Sequence, residues 1–179
     1  PDGNQATAAR SRLFYGRGDG TFRSAAADLF PESSVFIGAA VDFDDDGDVD
    51  LAVTSEFGGR YDAALYRNDG TGTNGDVDWH VITQNLDFLP PFAVMGTGIA
   101  DVDGNGLPDL FATNLWGEYP DREGLLINLG NLEFDDRAPQ WGTHAMSRSY
   151  DFEEPSRSAS WGAQFLDANN DGALDLYFG

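Results

Sequence analysis

Aspartate and asparagine recur at fixed spacing in three segments of this chain: DFDDDGDVDL at 42–51, DVDGNGLPDL at 101–110 and DANNDGALDL at 167–176. Each follows the pattern D-x-[DN]-x-[DN]-G-x-x-D-hydrophobic, and 59 and 66 residues separate their first aspartates. Oxygen side chains at positions 1, 3 and 5 of a tight loop converge on one point, and glycine at position 6 accepts the positive φ such a turn needs. A carbonyl at position 7 and a carboxylate at position 9 then close an oxygen shell, the donor set of a hard cation such as calcium.

The first cassette would ligate through Asp42, Asp44, Asp46 and Asp50 with the Asp48 carbonyl. The second would use Asp101, Asp103, Asn105 and Asp109 with the Leu107 carbonyl. The third would use Asp167, Asn169, Asp171 and Asp175 with the Ala173 carbonyl. One such stretch reads equally well as a solvated acidic turn. Three copies in matching register read as sites for about three calcium ions.

An EF-hand needs a bidentate Glu at position 12 and helices on both sides. Position 12 here is Val53, Ala112 or Phe178, and none can ligate through its side chain. The segments that follow, LAVTSEF, LFATNLW and LYFG, are β-branched and aromatic runs of strand length. A dockerin-like loop fails on the same ground, because it too leads into a helix.

The elements that must hold these loops are therefore strands. Glycine and Asx-Gly punctuation cuts the chain into short pieces, with no amphipathic helix of three turns. A second repeated element is a strand–turn–strand unit: LFYGRGDGTF at 13–22, LYRNDG at 65–70 and LLINLGNLEF at 125–134. It follows its cassette by 23 or 24 residues. Four short strands repeated about every 60 residues are the signature of a β-propeller blade. The stretches before the cassettes (35–41, 93–100 and 160–166) are rich in Gly and Ala, which suits the crowded innermost strand.

The expected fold is all-β, a propeller of four-stranded antiparallel blades. Residues 1–30 would form a C-terminal half-blade, 35–90 and 93–138 whole blades, and 158–179 an N-terminal half-blade. About three blade equivalents are too few to close a ring, so the expectation is a segment of a larger propeller, or one completed by oligomerisation.

The repeats resemble the FG-GAP/VCBS repeats of integrin α-subunit propellers and their bacterial relatives. MGTGIAD at 95–101 and SWGAQFLD at 160–167 are similar to the cartilage acidic protein (ASPIC/UnbV) branch. The resemblance implies a secreted or periplasmic calcium-binding propeller without established catalysis. Pro108, at position 8 of the second cassette, departs from the aliphatic residue usual there. The C-terminal domain that gives the branch its name is not in this sequence.

Composition narrows the partners. The 179 residues are 41% hydrophobic and 13% aromatic, enough for a folded domain with a sizeable core. Formal charge is −21, from 31 acidic and 10 basic residues, all of the latter Arg. Three calcium ions would leave about −15, so nucleic acid and anionic membrane surfaces are poor partners. No apolar run approaches the roughly 18 residues of a membrane-spanning helix, and cysteine is absent, which excludes disulfides and thiol chemistry.

Catalysis is not expected. His80 and His144 are the only histidines, no G-x-S-x-G elbow occurs, and the evident acid clusters are assigned to calcium. Arg17-Gly18-Asp19 spells an integrin-recognition tripeptide, but Gly18 and Asp19 also fall where the repeated hairpin needs turn residues. In an antiparallel meander, cassettes and Gly hairpins share one face, and loops 55–63, 86–94, 114–124 and 143–158 occupy the other. There Trp116, Glu118, Tyr119 and Arg122 could either bind a protein or glycan or pack between blades. The expected function is a calcium-stabilised binding or scaffold module outside the cytoplasm. The alternatives are an accessory subunit of a larger assembly or a polysaccharide-active enzyme.

Overall fold

A computed structural model describes residues 11–26, 35–55, 63–82, 94–113, 123–143 and 160–179. Within them, β-strands form four antiparallel sheets. Strands β1 (Phe14–Gly16) and β2 (Phe22–Ser24) pair as one hairpin. A four-stranded meander follows, made of β3 (Val35–Val41), β4 (Asp50–Ser55), β5 (Ala63–Thr71) and β6 (Val77–Ile82). The next repeats that order with β7 (Thr97–Ala100), β8 (Asp109–Ala112), β9 (Gly124–Gly130) and β10 (Glu133–Asp136). One helical turn, α1 (Ala138–Trp141), leads on, and β11 (Ala163–Leu166) pairs with β12 (Asp175–Phe178). These are propeller-type blades, and they do not close a ring. Among the described residues, β1 pairs only with β2 and β12 only with β11.

Alternation of side chains along each strand glues the blades together, because successive residues point to opposite faces. On β8, Leu110 joins Phe43, Ala52, Leu65 and Leu126 in the core between the two meanders. Its neighbour Phe111 points the other way, into a cluster with Leu125, Ile127 and Ala138 that Phe165, Leu176 and Phe178 cover. Phe111 is fully buried, edge-on to Phe165 at 6.4 Å and tilted against Phe178 at 5.1 Å. Likewise Val53 and Tyr66 face Leu13 of the first hairpin. The second meander is thus covered on both faces, and Gly124 through Asn128 are all buried.

The first strands of successive sheets lie side by side, with β7 touching both β3 and β11. Small residues permit this approach. A Cβ on Gly96 would sit 2.3 Å from the Trp161 carbonyl oxygen, and one on Gly98 would meet the Phe165 ring at 3.4 Å.

Register places the cassettes. Val41 pairs with Asp50, Ala100 with Asp109 and Leu166 with Asp175. Each cassette is therefore the turn between the first two strands of its sheet, and its ninth residue opens the second strand.

Candidate metal centre

Each cassette shapes itself through its own aspartates. The first carboxylate accepts the N–H of the glycine five residues on: Asp42 from Gly47, Asp101 from Gly106 and Asp167 from Gly172, each at 2.9 Å. Position 5 accepts the N–H of position 7: Asp46 from Asp48 (2.9 Å), Asn105 from Leu107 (2.8 Å) and Asp171 from Ala173 (2.8 Å). Position 9 reaches back to the N–H of position 2, as Asp50 does to Phe43 (2.9 Å), Asp109 to Val102 (2.7 Å) and Asp175 to Ala168 (2.9 Å). Glycine at position 6 has φ of 96°, 90° and 87° in the three copies.

Position 4 is left-handed as well, with φ of 60° at Asp45, 76° at Gly104 and 60° at Asn170. Asp, Asn and Gly are the residues that tolerate this region best. The residue types at that position, Asp45, Gly104 and Asn170, carry this signal in the sequence itself.

The ligand geometry differs among the copies. Among the described residues, two sets of three carboxylates bring one oxygen each within 4.8 Å of one another: Asp42, Asp44 and Asp50, and Asp101, Asp103 and Asp109. Either set could hold a metal ion. Asp46, proposed as a ligand, stays outside the first set, and Asp167, Asp171 and Asp175 form no third one. Pro108 does not disturb the second loop, since Asp101, Asp103 and Asp109 still converge. Trp116, Glu118, Tyr119 and Arg122 lie outside the described residues, as does His144. His80 is exposed on β6.

Burial separates the closing carboxylates. Asp50 and Asp109 are fully buried, and each takes a second N–H from the third strand of its blade: Asp50 from Asn68 at 2.9 Å, Asp109 from Asn128 at 2.8 Å. Burial pushes both carboxyls above the ordinary aspartate range, and these N–H bonds only partly oppose it. Burial likewise raises Asp44, and the charge of Asp46 adds to the effect. One oxygen of Asp44 is buried and accepts no hydrogen bond. A buried carboxylate oxygen without a donor, beside two more carboxylates, is poised for a cation.

Asn68 and Asn128, which lie in the repeated hairpins, each hold the closing carboxylate of their blade through the backbone N–H. Their signal was position, since both fall four residues into the shared L-x-x-N turn unit.

Residues 42–112 match the FG-GAP-like repeat family. The match runs from the first ligand of the first cassette through the strand that follows the second. It agrees with a β-propeller-type module built from repeated blades. No curated protein matches the chain.

The Arg17-Gly18-Asp19 tripeptide forms the exposed turn between β1 and β2. Asp19 accepts the Thr21 hydroxyl at 2.6 Å and the Thr21 N–H at 2.9 Å, and these bonds, the hydroxyl first, hold its carboxyl below the usual range. Arg23 and Asp76 then tie this hairpin to the β5–β6 turn, with the Ala26 N–H donating to Asp76 at 2.7 Å.

Proposed function

We propose that this chain is a calcium-stabilised propeller module that binds or scaffolds a protein or glycan outside the cytoplasm and does not catalyse a reaction. The observation that carries the calcium reading is the pair of three-carboxylate clusters at equivalent turns of successive blades. Their donors are all oxygen, which favours a hard cation over zinc or copper. Calcium would occupy Asp42, Asp44 and Asp50 in one blade and Asp101, Asp103 and Asp109 in the next. The third cassette would complete its shell with Asn169 and the Ala173 carbonyl, giving about three ions in all.

Extracellular modules bind calcium with Kd of about 10⁻⁴–10⁻³ M, matched to the concentration outside cells. A site with Kd near 10 µM would gain about 2.7 kcal/mol of stability at a hundredfold excess. The placement outside the cytoplasm is supported by the FG-GAP-like match, and no described helix is long and apolar enough to cross a membrane. The MGTGIAD and SWGAQFLD phrases favour the ASPIC/UnbV branch. Partner contacts would then fall outside the cassettes, and Trp116, Glu118, Tyr119 and Arg122, which lie outside the described residues, are the first candidates from the sequence.

Calcium titration followed by calorimetry and thermal melting tests this reading. Saturable binding of two to three ions with a rise in Tm reversed by chelator is expected. A melting curve indifferent to calcium and chelator would overturn it. Turnover of a polysaccharide that is lost on changing His80 would replace the binding module with an enzyme.

A further inference from the structure

Two hairpin asparagines occupy the same place in successive blades and do different things. Asn68 stays within its own blade, donating through Nδ2 to the Val49 carbonyl at 3.1 Å and accepting from Gly70 N–H at 2.9 Å. Asn128 is fully buried, and its Nδ2 donates to the Pro108 carbonyl of its own cassette at 3.2 Å. The same Nδ2 also donates to the carbonyl of Phe43, 85 residues away in the first cassette, at 2.8 Å.

Every polar group of Asn128 is engaged. Its N–H holds Asp109 at 2.8 Å, its carbonyl accepts from Asn105 Nδ2 at 2.8 Å, and its Oδ1 accepts from Gly130 N–H at 3.0 Å. Phe43 is equally fixed. It is fully buried, its N–H holds Asp50 at 2.9 Å, and its ring stands edge-on to Phe134 of the next blade at 6.0 Å. Continuous contacts therefore run from the Asp50 carboxylate through Phe43 and Asn128 to the Asp109 carboxylate. Both ends are the closing carboxylates of their loops.

We propose that Asn128 is a positioning residue that couples the first two cassettes, so that a divalent cation held at one raises the affinity of the other. The inference rests on reading the cassettes as calcium loops. Closing the first loop fixes Asp50 and Phe43, which sets the Asn128 amide and with it Asp109 and Asn105. The ordering that the second cation requires is then already in place. Buried, fully satisfied networks transmit such constraints well, because leaving any one bond unmade is costly there. Repulsion between the two cations works in the opposite direction, and at 0.15 M salt, where the Debye length is about 8 Å, it is weakened.

The test uses the whole chain with calcium as the probe at 0.15 M salt. Hydrogen exchange of the 42–50 amides, read against calcium concentration, reports occupancy of the first cassette. Disabling the second cassette with Asp103→Ala should weaken the first by about 5-fold or more, within the common range of coupling between sites. In an Asn128→Ala background the same change should leave the first cassette within about twofold, whereas Asn68→Ala should preserve the coupling. A merely structural role for Asn128 would lower Tm and leave the coupling factor untouched, and that result overturns the proposal. Should Asn128→Ala fail to fold, Asp44→Ala in the native background must weaken the second cassette by the same factor, because coupling is reciprocal. Unequal factors, or independent binding at the two cassettes, would refute the coupling alone. Absence of calcium binding at both cassettes in the native chain would refute the calcium reading itself.

Discussion

The second and third cassettes have the same loop and different surroundings. Both run the same internal ladder, from position 1 to the glycine N–H, from 5 to 7 and from 9 back to 2. Behind the second stands β9, whose Asn128 N–H takes the second oxygen of Asp109 and seals it from solvent. The third is joined to a two-stranded sheet among the described residues, and Asp175 is only half-buried. The ten residues thus suffice to bend the loop. A third strand supplies the second N–H to the buried closing carboxylate, while the third cassette also lacks an acid at position 3, where Asn169 stands in place of Asp103.

The strongest way to break this comparison is to delete the two closing carboxylates. Asp109→Ala would strand the N–H groups of Val102 and Asn128 in the interior and should cost about 2–4 kcal/mol, since each buried unsatisfied donor costs about 1–3. Asp175→Ala leaves its partner N–H near solvent and should cost less than about 1 kcal/mol. Urea unfolding of both variants in chelator measures the difference, and equal losses would show that the third strand adds nothing.

Packing against the two-stranded sheet is the next largest effect. Gly96→Ala drives a methyl into the Trp161 carbonyl, and overpacking of this kind costs about 1–3 kcal/mol. Gly162→Ala meets nothing nearby and should be close to neutral. Thermal melting that ranks them otherwise would argue against the β7–β11 contact.

Calcium dependence sharpens the comparison from the side of charge. The first cassette holds six acidic residues and the third holds three. Asp42→Ala should therefore remove more of the calcium-induced rise in Tm than Asp167→Ala. Equal or reversed losses would mean that loop charge does not set affinity.

The smallest effect concerns the latch between the first hairpin and the β5–β6 turn. Chiefly the Ala26 N–H, and then Arg23, hold the Asp76 carboxyl below the ordinary aspartate value. A lowered folded value means that this latch stabilises fully above the unfolded value of about 3.9 and is lost as pH falls through the folded one. Asp76→Asn should flatten that part of the acid limb relative to the native chain. A limb of unchanged shape would show that Asp76 makes no difference between the folded and unfolded states.

Much of this was legible in the residues. The cassettes had to be turns into strands because their carboxylates, glycine and following β-branched run each require it locally. Gly and Ala in the runs at 35–41 and 93–100 pointed to the first strands of the sheets, where a small residue such as Gly98 lets the next sheet approach. Asp42, Asp44, Asp50, Asp101, Asp103 and Asp109 were all named from spacing and all converge. Asp46 lies outside the first convergent set, and the third cassette, with Asn169 at position 3, has only two acids, Asp167 and Asp175, at the positions that converge in the other copies. Asn128 illustrates the remainder. Its residue type fits any tight hairpin, and nothing near it in sequence refers to Phe43.

By itself, then, the sequence determined everything that hydrogen bonds within a loop or alternation along a strand can specify: three acidic turns, their left-handed glycines and the repeating order of strands. Tertiary structure alone decided which carboxylates are buried and which asparagine spans two blades. Those outcomes depend on groups up to 85 residues apart meeting across stacked sheets. Local spacing cannot encode a meeting of that kind, because it exists only once the blades have packed.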